Sequence, residues 1–327
     1  MIPTDWLKEA QQRISPHIQK TPLTYDAKKN LYFKWENRQL TGSFKARGAF
    51  NKVLSLQPWE IARGLVSASA GNHGLGVAFA AKIVNARVTV FVSESAVRSK
   101  VEAIRAAGAT IKVVPGGYGE AEKAGLDYTS TNQATWISPY NDGQVIAGQG
   151  TLGLEILKDL PELDQVTWVV PVGGGGLISG IGASLKSEAP VPWHNFVQKA
   201  RMVRLVGVQS ESSPFMHNYF YTGSQADTLE FPSLADGLSG PVEENSLTIS
   251  LARNYVDEMV LVSETEITQA IAFAWHCYHE RIEGSAATAL AAVLFGKVTT
   301  RPVVVVISGG NIQPEVHDEI ITKWTQI

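Results

Sequence analysis

Short runs of apolar, largely β-branched residues alternate along this chain with stretches of small and apolar residues at helical spacing. Residues 64–70, Gly-Leu-Val-Ser-Ala-Ser-Ala, predict a strand, and Val77-Ala78-Phe79-Ala80-Ala81-Lys82 predicts a helix rich in small side chains. Ala86 to Val92 and Thr110 to Val114 predict strands on either side of a helix over Ser99 to Ala107. Val166 to Val172 reads as a buried strand ahead of a helical run, Leu177-Ile178-Ser179-Gly180-Ile181, and Pro302 to Ile307 as a β-branched strand near the C-terminus. Strands alternating with helices predict an α/β fold of parallel sheets covered by helices. Neither a repeat nor a low-complexity linker interrupts the pattern.

Composition narrows the class. With 327 residues, 44% of them hydrophobic, the chain can bury a substantial core and is long enough for two domains. A formal net charge of −3 suggests neither a nucleic-acid surface nor an acidic tail. One cysteine excludes an intrachain disulfide framework and fits a reducing cytoplasm. The segment Met1 to Glu9 has no signal-peptide core, and no apolar run is long enough to span a bilayer, so the expected location is cytoplasmic.

The candidate chemistry centres on Lys45, framed by Thr41-Gly42-Ser43-Phe44 and Ala46-Arg47-Gly48. A lysine amine becomes a nucleophile when burial or a nearby cation lowers its protonation, and Phe44 and Arg47 are candidates to supply the two effects. A solvated surface lysine is the competing reading. Gly71-Asn72-His73-Gly74-Leu75-Gly76 joins a strand to a helix start, where unpaired N–H groups suit a carboxylate or phosphate, although a plain structural turn explains it equally. Gly173-Gly174-Gly175-Gly176 follows a strand and precedes a helix, so its backbone can wrap a phosphate. It matches neither the dinucleotide fingerprint nor a P-loop, which lacks its Gly-Lys-Ser/Thr here. Ser308-Gly309-Gly310-Asn311 puts a hydroxyl at a strand's carboxyl end, where open α/β sheets bind ligands.

An amine nucleophile, a phosphate cup, an anion-binding turn and a hydroxyl together describe a pyridoxal phosphate site. Through Ser43 to Gly48, Ser69 to Gly74, Val145 to Thr151, Gly173 to Leu177 and Ser308 to Asn311, in that order, essentially the whole chain resembles the fold-type II pyridoxal-phosphate enzymes. Within them it is most similar to the serine/threonine ammonia-lyase (threonine dehydratase) and serine racemase group. The resemblance implies a two-domain, tryptophan-synthase-β-like α/β fold with parallel-rich twisted sheets. Residues 46–148 would form a small domain inserted into a large cofactor-binding domain of residues 1–45 and 149–327, with pyridoxal 5'-phosphate between them.

Residue by residue, the resemblance implies that Lys45 is the Schiff-base lysine and general base, Phe44 packs on the cofactor ring and Asn72 bonds its 3-hydroxyl. Gly173, Gly174, Gly175, Gly176 and Leu177 would bind the phosphate, and Ser308 would face the pyridine nitrogen. A neutral hydroxyl there favours elimination. Ser69, Ala70, Gly71, Asn72 and His73 would grip the substrate α-carboxylate. The implied reaction turns L-threonine into 2-oxobutanoate, or L-serine into pyruvate, with release of ammonia. No membrane or nucleic-acid partner is implied, and since relatives are commonly dimers or tetramers a homo-oligomer is expected.

Departures from the group's patterns narrow the reaction. Racemases carry a serine directly before Gly-Asn-His, and this chain has Ala70, which cannot transfer a proton; Ser69 stands next to it. Threonine synthases have an aspartate where this chain has Ala46. Gln209 and Phe215 occupy positions where racemase-like members carry acidic metal ligands, with Glu211 nearby, and His276 and His279 lack a third ligand of standard spacing, so no metal is expected. Glu283 precedes Gly284 where relatives often have Glu-Pro, and Asp236-Gly237-Leu238 reads equally as cleft lining or structural turn. Because the chain stops soon after Asn311, isoleucine feedback through a C-terminal regulatory domain is not expected. The alternatives are a hydroxyaspartate dehydratase, a serine racemase, or a non-catalytic cofactor or amino-acid binder.

Overall fold

The computed structural model describes residues 1–186 and 200–324. Its strands are β1 (Leu23–Asp26), β2 (Leu31–Trp35), β3 (Leu65–Ala68), β4 (Val88–Ser93), β5 (Thr110–Val114), β6 (Thr135–Trp136), β7 (Leu163–Pro171), β8 (Ala200–Ser210), β9 (Glu258–Val262) and β10 (Val303–Ile307). They form two sheets. The larger has the order β1-β2-β10-β7-β8-β9, and the smaller β5-β4-β3-β6. All pairings are parallel except β1 with β2, an antiparallel pair at the sheet edge. Strands β2 and β10 are buried along their whole length, as central strands covered on both faces must be.

Helices cover the large sheet on both sides. One apolar cluster joins helices Gly143–Asp159, Gly176–Leu185 and Leu247–Tyr255 to Trp168, Val170 and Val304, and another joins Glu264–Tyr278 and Gly284–Leu294 to Val169, Val303 and Val305. A third cluster, from Ala49 and Phe50 to Val90 and Ile104, lies between the small sheet and the helices Lys45–Leu54, Asn72–Ile83 and Arg98–Ala106.

Small residues bring the helices around Lys45 unusually close. A Cβ on Gly148 would lie 2.6 Å from the Arg47 carbonyl and 2.7 Å from the Gly48 Cα, and one on Gly180 would lie 2.5 Å from the Ile146 carbonyl. The segment Val145 to Thr151 is therefore a packing seam whose obstacles are backbone atoms that cannot rotate away. Gly148→Val should destabilise the protein by about 3 kcal/mol, an overpacking cost. Thermal unfolding of the variant beside the parent checks this.

Candidate active site

The cleft lies at the carboxyl ends of β10, β2 and β7, where an open α/β sheet presents its loops. Lys45 begins the helix that follows Phe44, and its loop is tied to the end of β10. The Phe44 N–H donates to the Ser308 carbonyl at 2.9 Å, Gly310 N–H to the Gly42 carbonyl at 2.9 Å, and Ser43 bridges Gly309. Gly42 adopts φ +74°, and a Cβ there would lie 2.3 Å from the Asn311 side-chain oxygen. The turn before the lysine thus requires glycine both for its backbone angle and for contact with Asn311.

The Lys45 amine donates to the Pro139 carbonyl at 3.0 Å and lies 5.4 Å from the centre of the Phe44 ring. The residue as a whole is partly buried, but the surroundings of its amine are dry, and this desolvation lowers its pKa to about 8 against a weaker opposing pull from Glu283. Arg47 takes no part in that shift. Its guanidinium is fully buried between Glu36 and Glu155, which neutralise it. The expectation that Arg47 supplies a depressing charge is therefore corrected: burial alone does so. In cofactor-free protein, labelling of the Lys45 amine should show a midpoint near pH 8; a midpoint at the ordinary lysine value would contradict this.

Asn72 begins the helix after β3, and its amide is held on both sides. Its Nδ2 donates to the two Glu283 oxygens at 2.8 and 3.1 Å, and its Oδ1 accepts from Asn311 Nδ2 at 2.7 Å. Asn311 also donates to the Thr41 carbonyl at 2.9 Å and, from its backbone, to Glu283 at 3.2 Å. Glu283 is buried, which raises its pKa, while its bond from Asn72 opposes the shift. The sequence named Asn311 and Glu283 but left their contacts undefined. Glu283 was marked only by the resemblance, ahead of Gly284, and Asn311 only as the end of the Ser308-Gly309-Gly310-Asn311 run after a strand.

His73 turns its ring into the interior. Its Nε2 lies 3.1 Å from the Ile137 carbonyl, which can only accept, so Nε2 carries the proton and Nδ1 is a buried acceptor without a partner. Burial first, and Lys45 second, lower its pKa to about 3. The folded protein keeps His73 neutral where the unfolded chain binds a proton, so this residue's contribution to stability is lost as pH falls below about 6.5. His73→Gln should make the melting temperature less dependent on pH between 6.5 and 4, a difference that thermal scans across that range would show. Next in the same loop, the Ser69 hydroxyl accepts from the Gly71 N–H at 3.3 Å.

The glycine cup follows β7. Gly175 has φ +84° and precedes the helix Gly176–Leu185, whose first-turn N–H groups have no partners within the helix. A Cβ on Gly173 would meet the Leu238 Cα at 2.9 Å, one on Gly174 the Tyr140 ring at 2.5 Å, and one on Gly175 the Met216 methyl at 2.8 Å. The cup is thus walled by Leu238, Tyr140 and Met216, and admits no side chain of its own. The Ser179 hydroxyl in the first turn is buried with no hydrogen-bond partner. Tyr140, which sequence reasoning did not single out, accepts from the Glu243 N–H at 2.9 Å; its short Ser-Pro-Tyr context after β6 gave little signal. Leu238 closes a turn in which Asp236 pairs with Lys100, so the Asp236-Gly237-Leu238 segment is cleft lining as well as turn.

The residues weighed as metal ligands, and found wanting, make other contacts. Gln209 accepts from the His217 N–H at 2.6 Å, Phe215 is buried, and His276 lies 3.1 Å from the Ile321 carbonyl. Among the described residues, no group of three or more His, Cys, Asp or Glu could hold a metal ion. Nor, among them, is any helix long and apolar enough to cross a membrane.

A dry amine, a clamped amide, a strand-end hydroxyl and a side-chain-free cup with a free buried hydroxyl fit a phosphorylated pyridine aldehyde. The chain belongs to the pyridoxal-phosphate dependent enzyme family, whose model matches residues 14–309. Among its relatives is an L-threonine ammonia-lyase of Thermotoga maritima, 41% identical over 330 residues that cover 99% of this chain and 79% of that one. Solved structures of similar shape include serine racemase from Dictyostelium discoideum, with TM-score 0.82, 33% identity, and 95% and 99% of the two chains covered. The processed form of threonine deaminase isoform 2 from Solanum lycopersicum also has TM-score 0.82, at 28% identity over 98% and 93%.

Proposed function

We propose that this protein is a pyridoxal-phosphate-dependent ammonia-lyase that converts L-threonine to 2-oxobutanoate and ammonia, and L-serine to pyruvate and ammonia. The observation that carries the reading is the desolvated Lys45 amine, beside the Asn72–Glu283 clamp and tied through Phe44 to Ser308. The likeness to an L-threonine ammonia-lyase over nearly the whole chain supports the same substrate. When bound, the cofactor supplies an electrophilic carbon for the amino group and a ring that accepts electron density from the α-carbon.

The chain's own groups do the rest. Gly173 to Leu177, at the start of the helix Gly176–Leu185, would hold the phosphate with the help of the helix dipole, and Phe44 would pack on the ring. Asn72, its amide fixed by Asn311 and Glu283, would orient the 3-hydroxyl. Backbone groups of Ser69 to His73 receive the substrate carboxylate at a helix start, His73 through its backbone because its ring is directed to Ile137. Lys45 takes the α-proton at Nζ, where a pKa of about 8 leaves a useful neutral fraction near neutral pH. The β-hydroxyl leaves as one water, and hydrolysis of the released enamine consumes one water, giving the 2-oxo acid and ammonia.

Serine racemase is the second reading, favoured by the structural likeness. Against it, Ala70 carries no transferable proton, and the neighbouring Ser69 hydroxyl accepts within its own loop. Purified, cofactor-loaded protein given L-serine should form pyruvate without D-serine. Chiral chromatography showing D-serine as the main product would reverse the assignment.

A further inference from the structure

Behind the Lys45 helix lie four charges, three withdrawn from water and the fourth, Glu155, partly so. Arg47 uses all five of its N–H donors: Nε and Nη2 bond Glu36 at 2.8 Å each, Nη1 and Nη2 bond Glu155 at 2.8 and 2.9 Å, and Nη1 also reaches the Thr151 hydroxyl at 3.2 Å. Lys34 completes the set, bonding Glu155 at 2.5 Å and the Thr21 carbonyl at 2.7 Å, while Thr21 donates to Glu36. Arg47, Glu36 and Lys34 are fully buried.

Such a cluster is a poor source of stability, because desolvation offsets the attraction, but it is sensitive to register. Its members connect the elements that place the reactive amine. Glu36 follows Trp35, the register partner of Ile307, so Glu36 and Ser308 leave neighbouring strands at the same level. Ser308 in turn accepts from the Phe44 N–H, next to Lys45. Arg47 lies two residues beyond Lys45 in the first helical turn, and its fork closes the circuit back to Glu36. Glu155, from helix Gly143–Asp159, fixes the other side.

We propose that Arg47, with Glu36 and Glu155, acts as a positioning group for Lys45, locking the first turn of its helix to the ends of β2 and β10 while its own charge is cancelled within the cluster. The inference rests on Lys45 being the reactive amine. Two consequences separate it from a merely structural role. Misplacing the amine lowers kcat with little change in KM. Removing one carboxylate leaves the Arg47 charge partly unbalanced near Lys45, which makes its amine harder to protonate. Glu283 is the other charged group that acts on the Lys45 amine, and His73 is in turn affected by Lys45; neither is touched by these variants.

The experiment takes the parent, Arg47→Lys, Glu155→Gln and Thr151→Val, all well below their melting temperatures. It reads kcat and KM for L-threonine on the loaded enzymes, and the pH midpoint for labelling the Lys45 amine in cofactor-free protein by mass spectrometry. Arg47→Lys, which keeps the charge but not the fork, should lower kcat between about 10- and 100-fold, and Glu155→Gln should move the labelling midpoint to lower pH. Thr151→Val keeps all four charges and should lower kcat less, in the same direction, which preserves the test if Arg47→Lys does not fold. Lower melting temperatures with parental kcat and labelling midpoint would overturn the proposal. A parent without threonine turnover would defeat the lyase reading instead, and the labelling midpoint of Glu155→Gln would then decide this one.

Discussion

Lys45→Ala should lower kcat for L-threonine by about 10⁴-fold or more, because it removes both the group that holds the cofactor covalently and the base that takes the α-proton. The fold should survive. The Lys45 side chain contributes one hydrogen bond to the Pro139 carbonyl, and removing its desolvated amine relieves a burial cost that the native site bears. The melting temperature of the cofactor-free variant should therefore match or exceed the parent's near neutral pH. Borohydride reduction followed by peptide mass analysis should find the cofactor on Lys45 in the parent and on no lysine in the variant. Substantial turnover with Lys45→Ala would remove the amine from the chemistry altogether.

Gly174→Val should weaken binding of pyridoxal phosphate by roughly 100-fold. A Cβ at this position would lie 2.5 to 2.6 Å from three atoms of the Tyr140 ring, and that ring is held in turn by the Glu243 N–H at its hydroxyl. Either Tyr140 or the loop must move, and a displaced loop no longer directs its N–H groups to one point. Loss of two charge-assisted bonds costs about 3 kcal/mol, which is the stated change in affinity. Gly119→Ala is the control, since nothing lies within 4 Å of its added Cβ. Equilibrium titration of cofactor-free protein, followed by absorbance, measures both. Parental affinity in Gly174→Val would mean that the phosphate is held elsewhere.

The strands were the most legible part of the sequence. Thr110 to Val114 matches β5 residue for residue, and the runs at 64–70, Val166 to Val172 and Pro302 to Ile307 mark β3, β7 and β10 to within a few residues. Apolar β-branched runs bounded by glycine have few other ways to fold. The antiparallel β1 lay outside that pattern because its Leu23–Asp26 run is short and half exposed. Lys45, Asn72 and the glycine cup were legible because each sits at an element boundary marked by glycine or by a run of small residues. Tyr140, Glu283 and Asn311 were less so, since what they do depends on contacts across 103, 211 and 239 residues of sequence, from Tyr140 to Glu243, Glu283 to Asn72 and Asn311 to Asn72. Arg47 shows the converse error. Sequence proximity to Lys45 suggested an electrostatic effect, whereas the fold cancels its charge with Glu36 and Glu155, more distant along the chain.

The most direct test of the account is the stoichiometry of product from L-threonine with the cofactor-loaded native chain. One 2-oxobutanoate and one ammonia should appear for each threonine consumed, with L-serine giving pyruvate in the same ratio. Cofactor bound at Lys45 with no 2-oxo acid from threonine, serine or L-threo-3-hydroxyaspartate would contradict the lyase assignment.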